Sequence, residues 1–212
     1  MAFVDGVDGA GKTTMIQEVA QSLPAGTAHI ADPLWHYLAA VKTSTDFAAW
    51  VVSTAAIEIA TALIDACAYR LADIRQHLTS IGPHGVVLVD RGPRTVVASA
   101  RAHAATGTSG KTDADPDEAI SRLRSAVAQI LLVADCVSVE LRITSYDSIL
   151  PRLSDNERTN APYVRYLMAF LQYFNADTPW PGIEPIVVDA SNGVAVSLRS
   201  VQAAFRLELP PL

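Results

Sequence analysis

The stretch Gly6-Val7-Asp8-Gly9-Ala10-Gly11-Lys12-Thr13, followed by Thr14, constrains this chain more than any other, because it fills the spacing G-x-x-x-x-G-K-[ST] in full. An apolar run, Ala2–Asp5, feeds into it, and Ile16, Val19, Ala20 and Leu23 leave it at helical spacing. Strand, glycine turn and helix together aim successive backbone N–H groups and the positive end of a helix dipole at one anion. Gly9 and Gly11 permit dihedrals and a close approach that a Cβ would block. In such a cradle Lys12 reaches the outer phosphates of a nucleoside triphosphate as a mobile point charge, and the Thr13 hydroxyl helps to hold Mg²⁺. The residues expected to bind ATP are therefore Gly6, Asp8, Gly9, Ala10, Gly11, Lys12, Thr13 and Thr14.

The rest of the chain alternates short β-branched runs with longer helical patterns, which predicts a parallel sheet covered on both faces. Strands are expected at Ala2–Asp5, Thr27–Ala31, Gly85–Asp90, Cys136–Ile143 and Pro185–Asp189. Helices are expected at Lys12–Leu23, Asp46–Leu78, Arg94–Ala105, Asp117–Val133, Pro162–Asn175 and Val194–Phe205. The implied fold is a three-layer α/β/α sandwich with a five-stranded parallel sheet, one domain over residues 1–212. Thr106–Pro116 is too polar to bury and reads as a surface loop, its acids Asp113, Asp115 and Asp117 serving as solvated charges and a helix cap.

Composition narrows the partners. At 212 residues the chain is half hydrophobic with a formal net charge of −6, which leaves no basic surplus for a nucleic-acid polymer. The two cysteines, Cys67 and Cys136, have no metal-spaced neighbours, which argues against a disulfide scaffold or zinc site and for a reducing cytoplasm. The first strand begins too early to leave room for a cleavable leader. Trp50–Tyr69 is long and apolar, but Glu58 and Asp65 within it favour a core or subunit-interface helix over a membrane span.

Three features bear on what happens to the phosphate. The apolar run Gly85–Asp90 ends in a carboxylate, from which Asp90 can hold Mg²⁺ or accept a hydroxyl proton. Arg91 follows and suits either a bidentate phosphate clamp or a structural ion pair. The polar segment Pro151–Asn160 carries Arg152 and Arg158 and reads as part of a lid spanning about residues 144–160, closing over the transferred group and shutting out water. Lys12, Asp90, Arg91, Arg152 and Arg158 are thus the expected catalytic set, with Thr13 and Asp90 as metal ligands. His36, Arg101 and His103, and the aromatic group Trp35, Tyr37 and Trp50, could serve an acceptor or merely pack.

Taken together, Phe3–Thr14, Asp90-Arg91, Arg70, Glu157-Arg158 and Val187–Ser191 resemble, in order and spacing, the thymidylate kinase family of P-loop nucleoside monophosphate kinases. The resemblance implies that Asp8 approaches the acceptor's sugar hydroxyl, that Arg91 and Arg70 engage the acceptor, and that Ala190 and Ser191 lie on the adenine side of ATP. Asp32, in the turn after the second strand, and Arg94 complete the acceptor-side candidates, and the family's habit of pairing implies a possible homodimer. The chain departs from the family on the acceptor side. Ala31-Asp32-Pro33-Leu34 lacks the usual arginine, small residues surround Ala66 where a ring would stack, Gly92-Pro93 replaces an aromatic residue, and Ser99-Ala100 replaces a Tyr-Gln pair. Losing a stacking ring and an amide costs a pyrimidine acceptor roughly 1–3 kcal/mol for each contact, which argues against thymidylate itself.

The expected function is transfer of the γ-phosphoryl group of ATP to a small acceptor, foremost a nucleoside monophosphate. Phosphorylation of an alcohol on a nucleoside or specialised metabolite is the alternative within that chemistry. An NTP-hydrolysing switch is the alternative outside it, although the chain holds no Asn-Lys-x-Asp guanine-reading element.

Overall fold

Ala2, Phe3 and Val4 are each at most 1% exposed, and a strand buried on both faces requires a helical layer on each side. In the computed structural model, which describes residues 1–38, 54–81, 85–107, 116–191, 198–199 and 201, that strand is the centre of a five-stranded parallel sheet. The strands are β1 (Ala2–Gly6), β2 (Ala28–Ile30), β3 (Val86–Asp90), β4 (Val137–Arg142) and β5 (Glu184–Asp189), in the spatial order β2-β3-β1-β4-β5. The helices are α1 (Lys12–Ser22), α2 (Ala56–His77), α3 (Pro93–Thr106), α4 (Asp117–Leu131), α5 (Asp155–Thr159) and α6 (Ala161–Ala176), joined by short 3₁₀ turns.

Period-two alternation sorts the side chains into two cores. Ala2, Val4, Val86 and Leu88 face α1 and α6 through Met15, Ile16, Leu167 and Phe170, whereas Phe3, Val87 and Val89 face α2 and α4 through Ile64, Leu71, Leu123 and Val127. Helix α3 contributes to both. All five expected strands form within two residues of their expected ends, and the fold is the expected α/β sandwich. Helix α2 buries Ile59, Leu63, Ile64 and Cys67 in the core, as its acids implied, while residues 46–53 of the expected helix lie outside the described residues. No helix among the described residues is long and apolar enough to cross a membrane. Trp50, Asp113, Asp115 and most of Val194–Phe205 also lie outside them.

One expectation is corrected here, that for Arg94. The segment read as a lid contains α5, started by a capping box in which the Ser154 hydroxyl accepts from Glu157 N–H and the Glu157 carboxylate accepts from Ser154 N–H. Arg94, expected at the acceptor, is 3% exposed and turned into the protein. Its Nη1 donates to Glu140 Oε1 at 2.8 Å, and its Nη2 donates to the carbonyls of Phe174 and Asp177, each at 2.8 Å. Arg142 Nη2 approaches the other oxygen of the same carboxylate at 3.0 Å. A carboxylate buried to this degree needs its cation, so Arg94 ties α3 to β4 and α6 and is not available to a substrate.

Arg94→Met should therefore lose about 3–5 kcal/mol of unfolding free energy in urea titrations, since it leaves Glu140 buried with half its partners. Arg94→Met combined with Glu140→Leu should be more stable than the single variant. Equal loss in both would mean that the charge pair is not the source of the effect.

Candidate active site

β1, β3 and β4 all point their carboxyl ends at the same edge of the sheet, where open parallel sheets bind ligands. The link between β1 and α1 crosses that edge. Gly11 is the N-cap of α1, with a φ of 89°, and no side chain caps the helix, so its first-turn N–H groups are presented to an anion rather than spent on the protein. Lys12, 5% exposed, donates from Nζ to the carbonyl of Val7 at 2.8 Å and lies 3.9 Å from Asp8 Oδ1. Burial, reinforced by the nearby charge of Arg91, lowers the Lys12 pKa to about 8 against the pull of Asp8 and Asp90.

Thr13 and Asp90 meet across the edge. The Thr13 hydroxyl donates to Asp90 Oδ2 at 2.8 Å, while Asp90 Oδ1 is buried with no hydrogen-bond partner among the described residues. An orphaned carboxylate oxygen beside a hydroxyl, next to an uncapped helix start, is a donor set that fits Mg²⁺, a hard cation that takes its other ligands from phosphate oxygens and water. Thr14, in the same first turn, is exposed.

On the other side of the cradle Arg91 Nη1 lies 2.7 Å from Asp8 Oδ1. Burial alone would raise the Asp8 pKa, but the charges of Arg91 and Lys12 hold it below the usual carboxylate range. Arg91 has a φ of 61°, a left-handed conformation that is strained for a long side chain and needs support from its surroundings. Arg70 supplies that support. It is 0% exposed, and its guanidinium donates to the carbonyl of Asp90 at 2.7 Å and to that of Arg91. The expected acceptor contact of Arg70 is thus corrected: its terminal nitrogens fix the backbone of the Asp90-Arg91 pair from beneath.

A second support has no counterpart in the motifs. Helix α3 begins at Gly92, which has no capping side chain, and the carboxylate of Asp5 takes the cap's place by accepting from Thr95 N–H at 2.9 Å. Thr95 Oγ1 accepts in turn from Gly6 N–H at 2.9 Å, and Ser138 donates to Asp5 Oδ2 at 2.8 Å. A Cβ at Gly92 would stand 2.7 Å from Asp5 Oδ2, which is why glycine occupies that position. The sequence signal for this clamp was weak: a carboxylate inside an otherwise apolar strand.

The remaining candidates are placed as follows. Asp32 is well exposed at the end of β2, 3.9 Å from His36 Nδ1, and Trp35 is also exposed, while the Tyr37 hydroxyl donates to Asp73. Arg101 is paired with Asp177 at 2.6 Å. Arg158 donates from Nε to the carbonyl of Leu153 and lies 3.8 Å from Asp155. Arg152 reaches the cradle, but through carbonyls: its guanidinium donates to Gly9, Ala190 and Ser191. Ile149 and Leu153, in the first half of the expected lid, are buried in the same core as Val7 and Ala10, so that half is packed into the body of the fold.

An aromatic wall unread in the sequence stands near the Asp8–Arg91 pair. His103 stacks on Tyr166 with centroids 4.2 Å apart, and the Tyr166 and Ser99 hydroxyls are 2.7 Å apart. A ring from α6 thus stands against the small residue that α3 carries at Ser99. Burial lowers the His103 pKa to about 4, against the pull of Asp8, and raises those of Tyr163 and Tyr166.

No protein-family model matches the sequence, and no curated protein matches it. Solved structures do. Thymidylate kinase from Candida albicans aligns with a TM-score of 0.58 at 12% identity, covering 98% of this chain and 90% of that one. Deoxyadenosine kinase from M. mycoides, solved with bound dATP, aligns with a TM-score of 0.53 at 14% identity over 97% of this chain and 98% of that one. At these identities the likeness is one of fold, and the chain has the α/β fold of the P-loop kinases.

The His103 shift carries a sign. The folded pKa of about 4 lies below the ordinary imidazole value of 6.5, so the unfolded chain binds the proton more readily, and the stability present above pH 6.5 is lost as pH falls toward 4. Chemical denaturation at pH 8 and pH 5 should show a His103→Phe variant losing about 2 kcal/mol less than the parent over that interval, at 1.36 kcal/mol per pH unit. Parallel losses in the two proteins would contradict the buried neutral imidazole.

Proposed function

We propose that this protein is an ATP-dependent phosphotransferase that moves a γ-phosphoryl group to a small nucleotide-type acceptor, in the first instance a nucleoside monophosphate. The observation that carries this reading is the meeting of Thr13 and Asp90, with the second Asp90 oxygen orphaned, at the mouth of an uncapped helix that also holds Lys12. In this reading the first-turn N–H groups of α1 bind the phosphates, and Lys12 exchanges its bond to the Val7 carbonyl for a phosphate oxygen. Mg²⁺, held by Thr13 and Asp90, would neutralise charge on the outer phosphates. An acceptor oxygen attacks the γ-phosphorus as the bond to the β–γ bridging oxygen breaks, and ADP departs with that electron pair. Arg91, preset by Arg70 and released from Asp8, meets the acceptor phosphate and the charge that gathers on the moving group.

One observation favours a second reading, transfer to an alcohol. Of the arginines Arg70, Arg91 and Arg94 expected to serve an acceptor phosphate, two are bound up in the protein interior, and Arg91 already faces a carboxylate. A neutral hydroxyl asks for fewer cations and more help from a base, which Asp90 would provide.

Incubation of the protein with Mg-ATP and nucleoside monophosphates, nucleosides or metabolite alcohols, read by mass spectrometry, should give one product heavier by a single phosphate. Hydrolysis of ATP at the same rate with and without every acceptor would point instead to a switch or hydrolase. Lys12→Ala should lower turnover by about 100-fold or more without loss of stability, since it removes phosphate charge compensation and relieves a buried ammonium. Arg91→Ala should raise the KM for the acceptor more than that for ATP; a change confined to ATP would reverse the assignment of the two sides.

A further inference from the structure

We propose that Arg152 is a positioning residue of the donor site that locks the phosphate cradle to the loop after β5, so that the two ends of a bound nucleoside triphosphate are held by one guanidinium. The inference rests on the phosphate-site reading above and on the expectation, implied by the resemblance, that the base lies beside Ala190 and Ser191.

The geometry is a fork between distant parts of the chain. Arg152 Nη1 donates to the carbonyl of Gly9 at 3.2 Å, and Nη2 donates to the carbonyls of Ala190 at 2.7 Å and Ser191 at 3.3 Å. Each loop is pinned elsewhere as well. The Gly9–Ala10 peptide is held at its oxygen by Arg152 and at its N–H by the Val7 carbonyl at 3.2 Å. Ala190 is held at its oxygen by Arg152 and at its N–H by the Arg142 carbonyl at 2.8 Å. The Ser191 N–H donates to Asp189 Oδ1 at 2.9 Å.

Arg152 is in turn seated by its own segment. A Cβ on Gly9, whose φ is +79°, would come within 2.9 Å of Ile149 Cγ2 and 4.0 Å of Arg152 Cβ, so the 149–153 segment lies directly over the cradle. Ile149 and Leu153 on either side of Arg152 are 0% and 4% exposed. A planar fork can bridge several carbonyls at fixed angles, which an ammonium on a flexible stem does not do. The guanidinium is therefore spent on holding the site in shape and not on neutralising charge at the moving phosphoryl group.

The consequence is an energetic coupling between base and phosphates, read by comparing Mg-ATP with Mg-tripolyphosphate, which lacks nucleoside. Calorimetric titration of the parent, Arg152→Ala and Arg152→Lys, with folding of each checked by circular dichroism, gives the four affinities of a thermodynamic cycle for each variant. Arg152→Ala should weaken Mg-ATP about tenfold and tripolyphosphate about threefold, with Arg152→Lys restoring little of the loss. In turnover assays the KM for ATP should rise while kcat at saturation and the acceptor KM hold. Equal weakening of both ligands would reduce Arg152 to a prop of the cradle, weakening of ATP alone would reduce it to a base-side contact, and unchanged affinities or full rescue by lysine would remove the fork; each overturns the proposal. If Arg152→Ala does not fold, the Arg152→Lys cycle decides by the same criteria. Failure of the parent to bind Mg-ATP is a separate result, which would overturn the donor-site reading itself.

Discussion

The buried carboxylate of Asp5 is the interaction on which the site depends. It sits on the central strand at 1% exposure and is answered by a helix N-terminus and a serine hydroxyl, with no salt-bridged cation among the described residues. By capping α3 it joins the end of β1, where the cradle begins, to the start of α3, immediately after Asp90 and Arg91. The two halves of the candidate active site come from distant segments, Thr13 and Asp90 being 77 positions apart, and the Gly6–Thr95 and Asp5–Thr95 bonds hold them in register. Arg70 performs the matching service from α2, taking the carbonyls that the strained Arg91 backbone leaves pointing inward.

Charge in this fold is divided between frame and site. Arg70 and Arg94 are among the most buried polar groups, and both direct their terminal nitrogens at backbone carbonyls or a buried carboxylate. Arg91 and Lys12 share a single carboxylate, Asp8. The shared carboxylate compensates both cations, which limits the cost of holding them out of water.

The glycine turn, the succession of strands and helices along the chain and the place of Asp90-Arg91 at a strand end were legible because each depends on short-range sequence. Glycine spacing, a lysine and a hydroxyl at the start of a helix, and a carboxylate at the end of an apolar run have one local geometry that makes sense of them. Arg70, Arg94 and Arg152 were misread for a common reason. An arginine looks the same in sequence whether it waits for substrate or spends its donors on carbonyls, and the partners here are Phe174, Asp177, Gly9 and Ala190, distant residues whose backbone atoms carry no sequence signature. The wall of His103 and Tyr166 was hidden likewise, since stacking joins α3 to α6 across more than sixty positions.

By itself, the sequence determined the local periodicities: a parallel sheet covered by helices, a glycine-rich turn running into a helix after its first strand, and a carboxylate at the end of its third. Tertiary structure alone decided which charged groups face the substrate and which hold the frame, because that depends on which carbonyls and carboxylates the packing of distant helices leaves in reach. Burial makes each such pairing compulsory, and no spacing along the chain encodes it.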